Sequence, residues 1–360
     1  MSNAFRALLR KIGSGPHTGK HLTRAEAEAA TRMMLLQEAT PAQIGAFMIA
    51  HRIKRPTGEE LAGMLDSYEQ LGPALPPIGT SQTVTILSAP YDGRTRTMPI
   101  GPLVALVLAA ADCPVIQHGG DRMPTKDGAP LVDFWRGLGV DWSPLSLERV
   151  QEIFIRTQIG FVYLPNHFPL AQGLVPYRDQ IGKRPPFATL ELMWNPYRGN
   201  SHIVAGFVHP PTEKMFRDAL ALRGSLCFTT VKGLEGSCDL PRDRTAIIGI
   251  AGSPVEPTDE LPFQRLHLNP RDYDLGGSNV PLHSTADAVA QMQAVLAGQS
   301  TELTDSAIWN SGFHLWRAGA AGDLSAGLSI AEQLLREGHA REKLQELTAA
   351  LNVQPSAASV

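Results

Sequence analysis

The segment Gly72-Pro-Ala-Leu-Pro-Pro-Ile-Gly79 constrains the fold more than any other part of this chain. Proline removes a backbone donor and fixes φ, and glycine favours turns, so this run can neither continue a helix nor fill a central strand. It is a linker, and the patterning differs on its two sides. Before it the periodicity is helical throughout. Ala4 to Ile12 is an amphipathic stretch closed by Gly13-Ser-Gly-Pro16. Thr23-Arg-Ala-Glu26 has the spacing of a capping box and predicts a helix through Glu38. Thr40-Pro41 restarts the helix, with Ile44, Phe47, Met48 and His51 on one face, and Thr57-Gly-Glu-Glu60 opens another through Leu71.

After the linker, short apolar runs alternate with longer helical ones. Val84–Leu87, Pro114–Gln117, Phe161–Leu164 and Leu226–Val231 read as strands; Pro102–Asp112, Ala129–Leu138 and Ser146–Thr157 read as helices. Such alternation implies crossover connections, and with them a parallel or mixed sheet with helices on both faces. The expected class is α/β, a small helical N-terminal domain plus a larger α/β domain with a central mixed sheet flanked by helices. A chain of 360 residues, 43% hydrophobic, can bury cores for two such domains. Gly322 to Leu351 reads as one or two helices, and residues 354–360 as a frayed tail.

Net charge is −3, so no global positive excess advertises nucleic acid, although a local basic groove would still be felt by a partner. Cys113, Cys227 and Cys238 are odd in number and lack metal-ligand spacing, which fits a reducing compartment. The first residues lack the apolar core of a signal peptide, and no apolar run reaches the length of a membrane span. The expected setting is the cytoplasm, with no membrane partner.

Ligands of open α/β sheets bind beyond the carboxyl ends of strands. That directs attention to loops 88–101, 118–128, 165–170 and 232–239. The first has the strand-loop-helix layout of a phosphate site. It reads Ser88-Ala-Pro-Tyr-Asp-Gly-Arg-Thr-Arg-Thr-Met-Pro-Ile-Gly101, with arginines, prolines and a tyrosine where such loops carry glycines.

These loops and the opening helices resemble the anthranilate phosphoribosyltransferase family of the nucleoside-phosphorylase class II superfamily. The resemblance lies in Glu38–Ala62, in Gln117-His-Gly-Gly120 followed by Leu138-Gly-Val140, in Val175-Pro-Tyr-Arg-Asp-Gln-Ile-Gly-Lys-Arg184 with Asn195-Pro196, and in the closing Ala318-Gly319 with Leu344 and Leu347. It spans nearly the whole chain and implies the two-domain fold. Residues 1–78 would form the helical domain, joined by about 166–195, and residues 79–165 and 196–353 the α/β domain. It also implies a homodimer formed through the helical domain, phosphoribosyl pyrophosphate or another phosphorylated small molecule as ligand, and Mg2+ as its companion.

Departures from the family pattern are concentrated in the chemistry. The family's glycine-rich diphosphate loop becomes Ser88-Ala-Pro-Tyr-Asp-Gly93, in which only Asp92 and Gly93 match. Its metal-holding acidic pair becomes Cys238-Asp239, its lysine before His-Gly becomes Gln117, and its following asparagine becomes Gly120. The resemblance assigns Asp92, Gly93, His118 and Gly119 to the sugar diphosphate, Asp239 to the metal, and Arg178 to the aromatic acceptor. His167 joins Arg178 after a one-residue shift, since Phe168 stands in the aligned place. The altered loop is similar to a divergent subfamily that includes DNA-binding proteins.

For most of these residues two readings stay open. Arg94 and Arg96 suit phosphate contacts through bidentate geometry, or a solvated loop with carboxylate partners. His118 lines the cleft or caps its loop, and Arg178 binds a ligand or a neighbouring carboxylate. Lys183-Arg184 reads as helix C-terminal charge. Asp239 holds a cation or caps a turn. The basic residues of the opening helices, among them Arg6, Arg10, Lys11, Arg52, Lys54 and Arg55, would offer a DNA backbone a salt-sensitive surface, or are ordinary solvated faces. The functional expectations are therefore a phosphoribosyl transferase with a degenerate diphosphate and magnesium site, a non-catalytic DNA-binding dimer, or a phosphate sensor.

Overall fold

The computed structural model describes residues 3–15, 18–79, 82–225, 227–253 and 263–352. Four helices come first: α1 (Asn3–Gly13), α2 (Arg24–Leu35), α3 (Pro41–Lys54) and α4 (Gly58–Leu71). Thr23, Thr40 and Thr57 each accept the amide of the third helical residue, whose Glu26, Gln43 or Glu60 side chain bonds back to the cap amide. Glu60 does more than cap. Its buried carboxylate also takes the Leu22 amide at 2.8 Å and Lys54 Nζ at 2.7 Å, tying the linker before α2 to the end of α3. α2 lies directly on α4 because a β-carbon at Gly63 would stand 2.0 Å from the Arg24 carbonyl oxygen. Only glycine permits that approach.

Seven strands follow: β1 (Val84–Leu87), β2 (Val115–Gly119), β3 (Ile159–Tyr163), β4 (Ser201–Gly206), β5 (Phe228–Val231), β6 (Ala246–Ala251) and β7 (Phe263–Leu268). They form one sheet in the order β3-β2-β1-β4-β5-β6-β7. The first five are parallel, and β6 and β7 add antiparallel edges. The sheet is therefore mixed, as expected. The chain builds outward from β1 to β3 and then returns to build outward from β4. The boundary between β1 and β4 is thus the topological switch point, where loops part and leave room for a ligand. Loop 88–101 leaves β1 there, beside the loop that follows β5.

The helix after loop 88–101, α5 (Gly101–Ala110), is buried over Gly101–Ala109. It is apolar all round, as a helix enclosed on every side must be. Between β3 and β4 the chain goes back to the opening helices in short pieces. Val175–Ile181 packs on α3 and Phe187–Leu190 on α4. Tyr68 of α4 meets Phe168 edge-on with ring centroids 5.0 Å apart and Trp194 edge-on at 6.0 Å. These aromatic contacts hold the returning segments against α4.

Leu226, the expected first residue of β5, and the tail 354–360 lie outside the described residues. β3 begins two residues before Phe161 and stops at Tyr163, because Leu164 already starts a helical turn.

Candidate functional site

Loop 88–101 does not leave an open phosphate pocket. Tyr91 turns inward, is fully buried, and its hydroxyl lies 2.6 Å from His118 Nδ1 at the end of β2. His118 packs edge-on against Trp194 at 5.1 Å. Burial pushes the His118 imidazole down to about 4, only partly offset by a backbone contact with Trp194, so the ring is neutral near pH 7. Gln117, which stands where the family has lysine, donates to the Gly101 carbonyl at 3.0 Å and accepts from Trp135 Nε1 at 2.9 Å. What is left among Ser88, Pro90, Arg94, Gly101, Gln117 and Asp239 is a cavity of about 20 Å³. That is room for about one water molecule.

Asp92 and Gly93, which match the family, have reasons of their own. Gly93 has φ +76° and its added β-carbon would lie 2.5 Å from the Gly128 carbonyl carbon, so loops 88–101 and 118–128 touch backbone to backbone there. The Asp92 carboxylate pairs with the Arg184 guanidinium. Lys183-Arg184 as mere helix-end charge is thereby corrected for Arg184, which reaches across to the α/β domain. Gly119 closes β2 opposite Tyr163.

Arg94 is the central correction. It is neither solvated nor open to a phosphate but buried, 4% exposed. Its guanidinium donates to Ser237 Oγ at 2.8 Å, to the Asp239 carboxylate, to the Thr97 hydroxyl and to Glu235 Oε1 at 3.3 Å. Asp239, the expected metal ligand, therefore already holds a cation, and it also accepts the Ile100 amide at 3.3 Å. Cys238 beside it donates to the carbonyls of Ser88 and Val204 at 3.0 and 3.1 Å, and burial pushes its thiol well above the usual range. A neutral thiol and a carboxylate already paired with arginine do not make a magnesium site, since Mg2+ needs oxygen ligands in octahedral array. Among the described residues no group of three His, Cys, Asp or Glu side chains could hold a metal ion.

Glu235, to which sequence reasoning assigned no role, completes the arrangement. Its side chain is 2% exposed. It accepts the amides of Thr95 at 3.1 Å, Arg96 at 3.0 Å and Thr97 at 3.0 Å, together with both threonine hydroxyls at 3.1 Å and Lys126 Nζ at 2.5 Å. Three successive backbone N–H groups converging on one acceptor form an anion nest. The nest is occupied by a side chain of the same protein. Burial raises the Glu235 carboxyl, but Lys126, Arg94 and the nest amides outweigh it and hold the group far below the usual carboxylate range.

Arg178, too, is paired within the chain. Arg178 is 2% exposed and forks onto Glu191, with Nη1 3.2 Å from Oε2 and Nη2 on Oε1. It faces a carboxylate of the chain rather than an open pocket. His167 points away from the cleft: Nδ1 accepts the Tyr163 amide at 2.9 Å and Nε2 donates to the Leu145 carbonyl at 2.9 Å. Phe168 is buried against Tyr68 and Trp194.

One sizeable opening remains at the switch point. A cleft of about 500 Å³ lies outside Tyr91 and Glu235, between Arg52 and Arg184 on one side and Arg96 and Lys126 on the other. Arg96 lines it with its side chain 77% exposed. An adjoining opening of about 440 Å³ shares Arg52 and Arg184 and adds Arg55 and His209.

Residues 6–72 match the helical bundle domain of the glycosyl transferase family, and residues 92–341 match its α/β domain. The anthranilate phosphoribosyltransferase of Afipia carboxidovorans is 28% identical over 346 residues, covering 96% of this chain and 98% of its own length. That of Xanthobacter autotrophicus is 29% identical over 350 residues, covering 96% of each chain. Among solved structures, the Thermus thermophilus anthranilate phosphoribosyltransferase superposes with a TM-score of 0.78 at 21% identity, over 98% of this chain and 100% of its own. The Saccharomyces cerevisiae enzyme in complex with PRPP and Mg superposes with a TM-score of 0.80 at 16% identity, over 97% and 98%.

Proposed function

The chain belongs to the glycosyl transferase family, with its helical bundle and α/β domains, and from that premise we propose that it binds a phosphorylated small molecule in the outer cleft without a magnesium clamp and without the family's turnover. It is an anthranilate phosphoribosyltransferase-like protein, a glycosyl transferase by descent. The ligand class is that of phosphoribosyl pyrophosphate, which the yeast relative holds together with magnesium.

The observation that carries the reading is Arg94 buried on Asp239 and Glu235. A guanidinium stands where a cation would be needed, and a carboxylate fills the adjacent nest. Phosphoribosyl transfer needs the pyrophosphate positioned and its developing charge neutralised as it leaves. Here the two groups that would do this neutralise each other. The outer cleft keeps cations on its walls: Arg96 on loop 88–101, and Arg52 together with Arg184, which is paired with Asp92, on the helical side. They are the residues that would hold a phosphate, and Tyr91 forms the floor that keeps it out of the interior.

Calorimetric titration with phosphoribosyl pyrophosphate, once with Mg2+ and once with a chelator, tests this. The expected affinities agree within about threefold, and added anthranilate is not consumed. Tightening by about tenfold or more on adding Mg2+, or turnover of anthranilate, would contradict the reading, as would the absence of any heat at millimolar ligand. The same cleft cations suit a phosphodiester backbone, so tight and salt-sensitive displacement of the ligand by DNA would favour a nucleic-acid partner instead.

A further inference from the structure

We propose that Thr95, Arg96, Thr97 and Lys126 form a binding site for a tetrahedral oxyanion, a phosphate or diphosphate group, and that Glu235 is the internal gate that an incoming anion displaces. The proposal takes the route of entry from the cleft reading above, but the site itself rests on contacts within the chain.

The donors aimed at the Glu235 carboxylate are three amides, two hydroxyls, an ammonium and a guanidinium N–H. A carboxylate offers about four lone-pair directions, so this set is larger than it can satisfy well. A phosphate group, with three terminal oxygens, matches such a set better. The site is over-built for the group that fills it.

Glu235 has φ 56° and ψ 19°, the left-handed region, between Gly233 and Gly236. A non-glycine residue there is uncommon and costs free energy, and such positions gather at ligand clamps and switches. The surrounding turn is held by the Leu234 amide on the Asp239 carbonyl at 2.9 Å and the Ser237 amide on the Leu234 carbonyl at 3.0 Å. The backbone is therefore fixed by neighbours while the Glu235 side chain alone enters the nest. The side chain can leave by rotation without unfolding the turn.

Glu235, Arg96 and Lys126 all line the 500 Å³ cleft, so rotation of Glu235 would carry its carboxylate toward Arg96 and Arg184 and expose the nest to the same opening. Arg96 Nε already lies 3.9 Å from Glu235 Oε2, near enough to receive it. Protonation does not open the gate near neutral pH, because the carboxyl is held far below the usual range. Opening therefore requires a competing anion.

Inorganic pyrophosphate titrated calorimetrically into wild type, Glu235→Ala and Glu235→Gln is the test, with circular dichroism and cooperative melting to confirm folding. Removing the gate charge is expected to tighten pyrophosphate binding by about tenfold or more in Glu235→Ala, and by a smaller factor in Glu235→Gln. Adding Lys126→Ala to either variant is expected to remove the gain. A folded Glu235→Ala that binds pyrophosphate no better than wild type would overturn the proposal. If that variant does not fold, a wild-type affinity in Glu235→Gln does the same. The result is separable from the cleft reading: wild type can fail to bind phosphoribosyl pyrophosphate while Glu235→Ala gains pyrophosphate, or the reverse.

Discussion

Two arginines decide how this site behaves, and both are matched to carboxylates of their own chain. Arg178 with Glu191 is a buried pair, and the energetics of such pairs are asymmetric. Removing one partner leaves an uncompensated buried charge, whereas replacing both by apolar groups of similar volume is often neutral. Arg178→Met should therefore cost about 3–5 kcal/mol, and Arg178→Met with Glu191→Leu should recover most of it. Urea unfolding of the three proteins measures this; a double variant as unstable as the single one would show that the pair contributes more than mutual neutralisation. Arg178 itself was legible from its surrounding motif, and Arg96 from its place in the loop. Glu191 was not, because its pairing with Arg178, 13 residues away, follows no helical or strand spacing, and Glu235 was not, because its partners come from a distant part of the chain. The partners of Glu235 are some 140 residues away, and no local spacing records that. The one signal available was a lone carboxylate between glycines in the loop after β5, a position at which a turn residue needs no further explanation.

Among the elements, those specified locally were the readable ones. Each capping box sits within four consecutive residues, so Thr23, Thr40 and Thr57 could be placed as helix starts before any fold was known. β1, whose four residues are all buried, announced itself as a short apolar run. β4, β6 and β7 escaped notice. β6 contains Gly249, whose missing side chain makes room for Phe263 of β7 across the pair, and β7 is half-exposed with Arg265 and His267 in it. Such strands exist because of their neighbours rather than their own propensity. The same logic makes Gly63 a sensitive position within α4, although helix propensity alone would favour alanine there. Gly63→Ala must separate α2 from α4, and overpacking of this kind typically costs about 1–3 kcal/mol. A thermal melt of the variant at or above the wild-type midpoint would contradict the close approach.

For the molecule as a whole, acid sensitivity follows from imidazoles buried in the neutral state. Burial pushes His118 down to about 4, and His314 likewise to about 4 despite the nearby Asp239 charge. In the unfolded chain each would titrate near 6.5. Below that value the unfolded state takes up protons that the folded state refuses, so stability is complete above about 6.5 and declines as pH falls toward 4, at up to about 1.4 kcal/mol per pH unit for each histidine. The carboxyl of Glu60 acts in the same direction, but at lower pH. Burial raises it, but His51, Lys54 and the Leu22 amide together hold it at about 2, so its contribution is lost only below the ordinary carboxylate range. Denaturation midpoints should thus be flat from pH 8 to about 7 and fall between about 6.5 and 4; a flat profile to pH 5 would show that the two imidazoles are not held neutral. On the proposed function, Glu235 and Arg94 would occupy the anion and cation positions of an inherited phosphoribosyl site. The most direct measurement is a crystal structure of the wild-type protein grown with phosphoribosyl pyrophosphate and Mn2+, whose anomalous signal locates the metal. No manganese is expected at Asp239, with Arg94 unmoved and any phosphate density in the outer cleft beside Arg96 and Arg184 or in the nest vacated by Glu235. Manganese bound to Asp239 with Arg94 swung aside would contradict the proposed function.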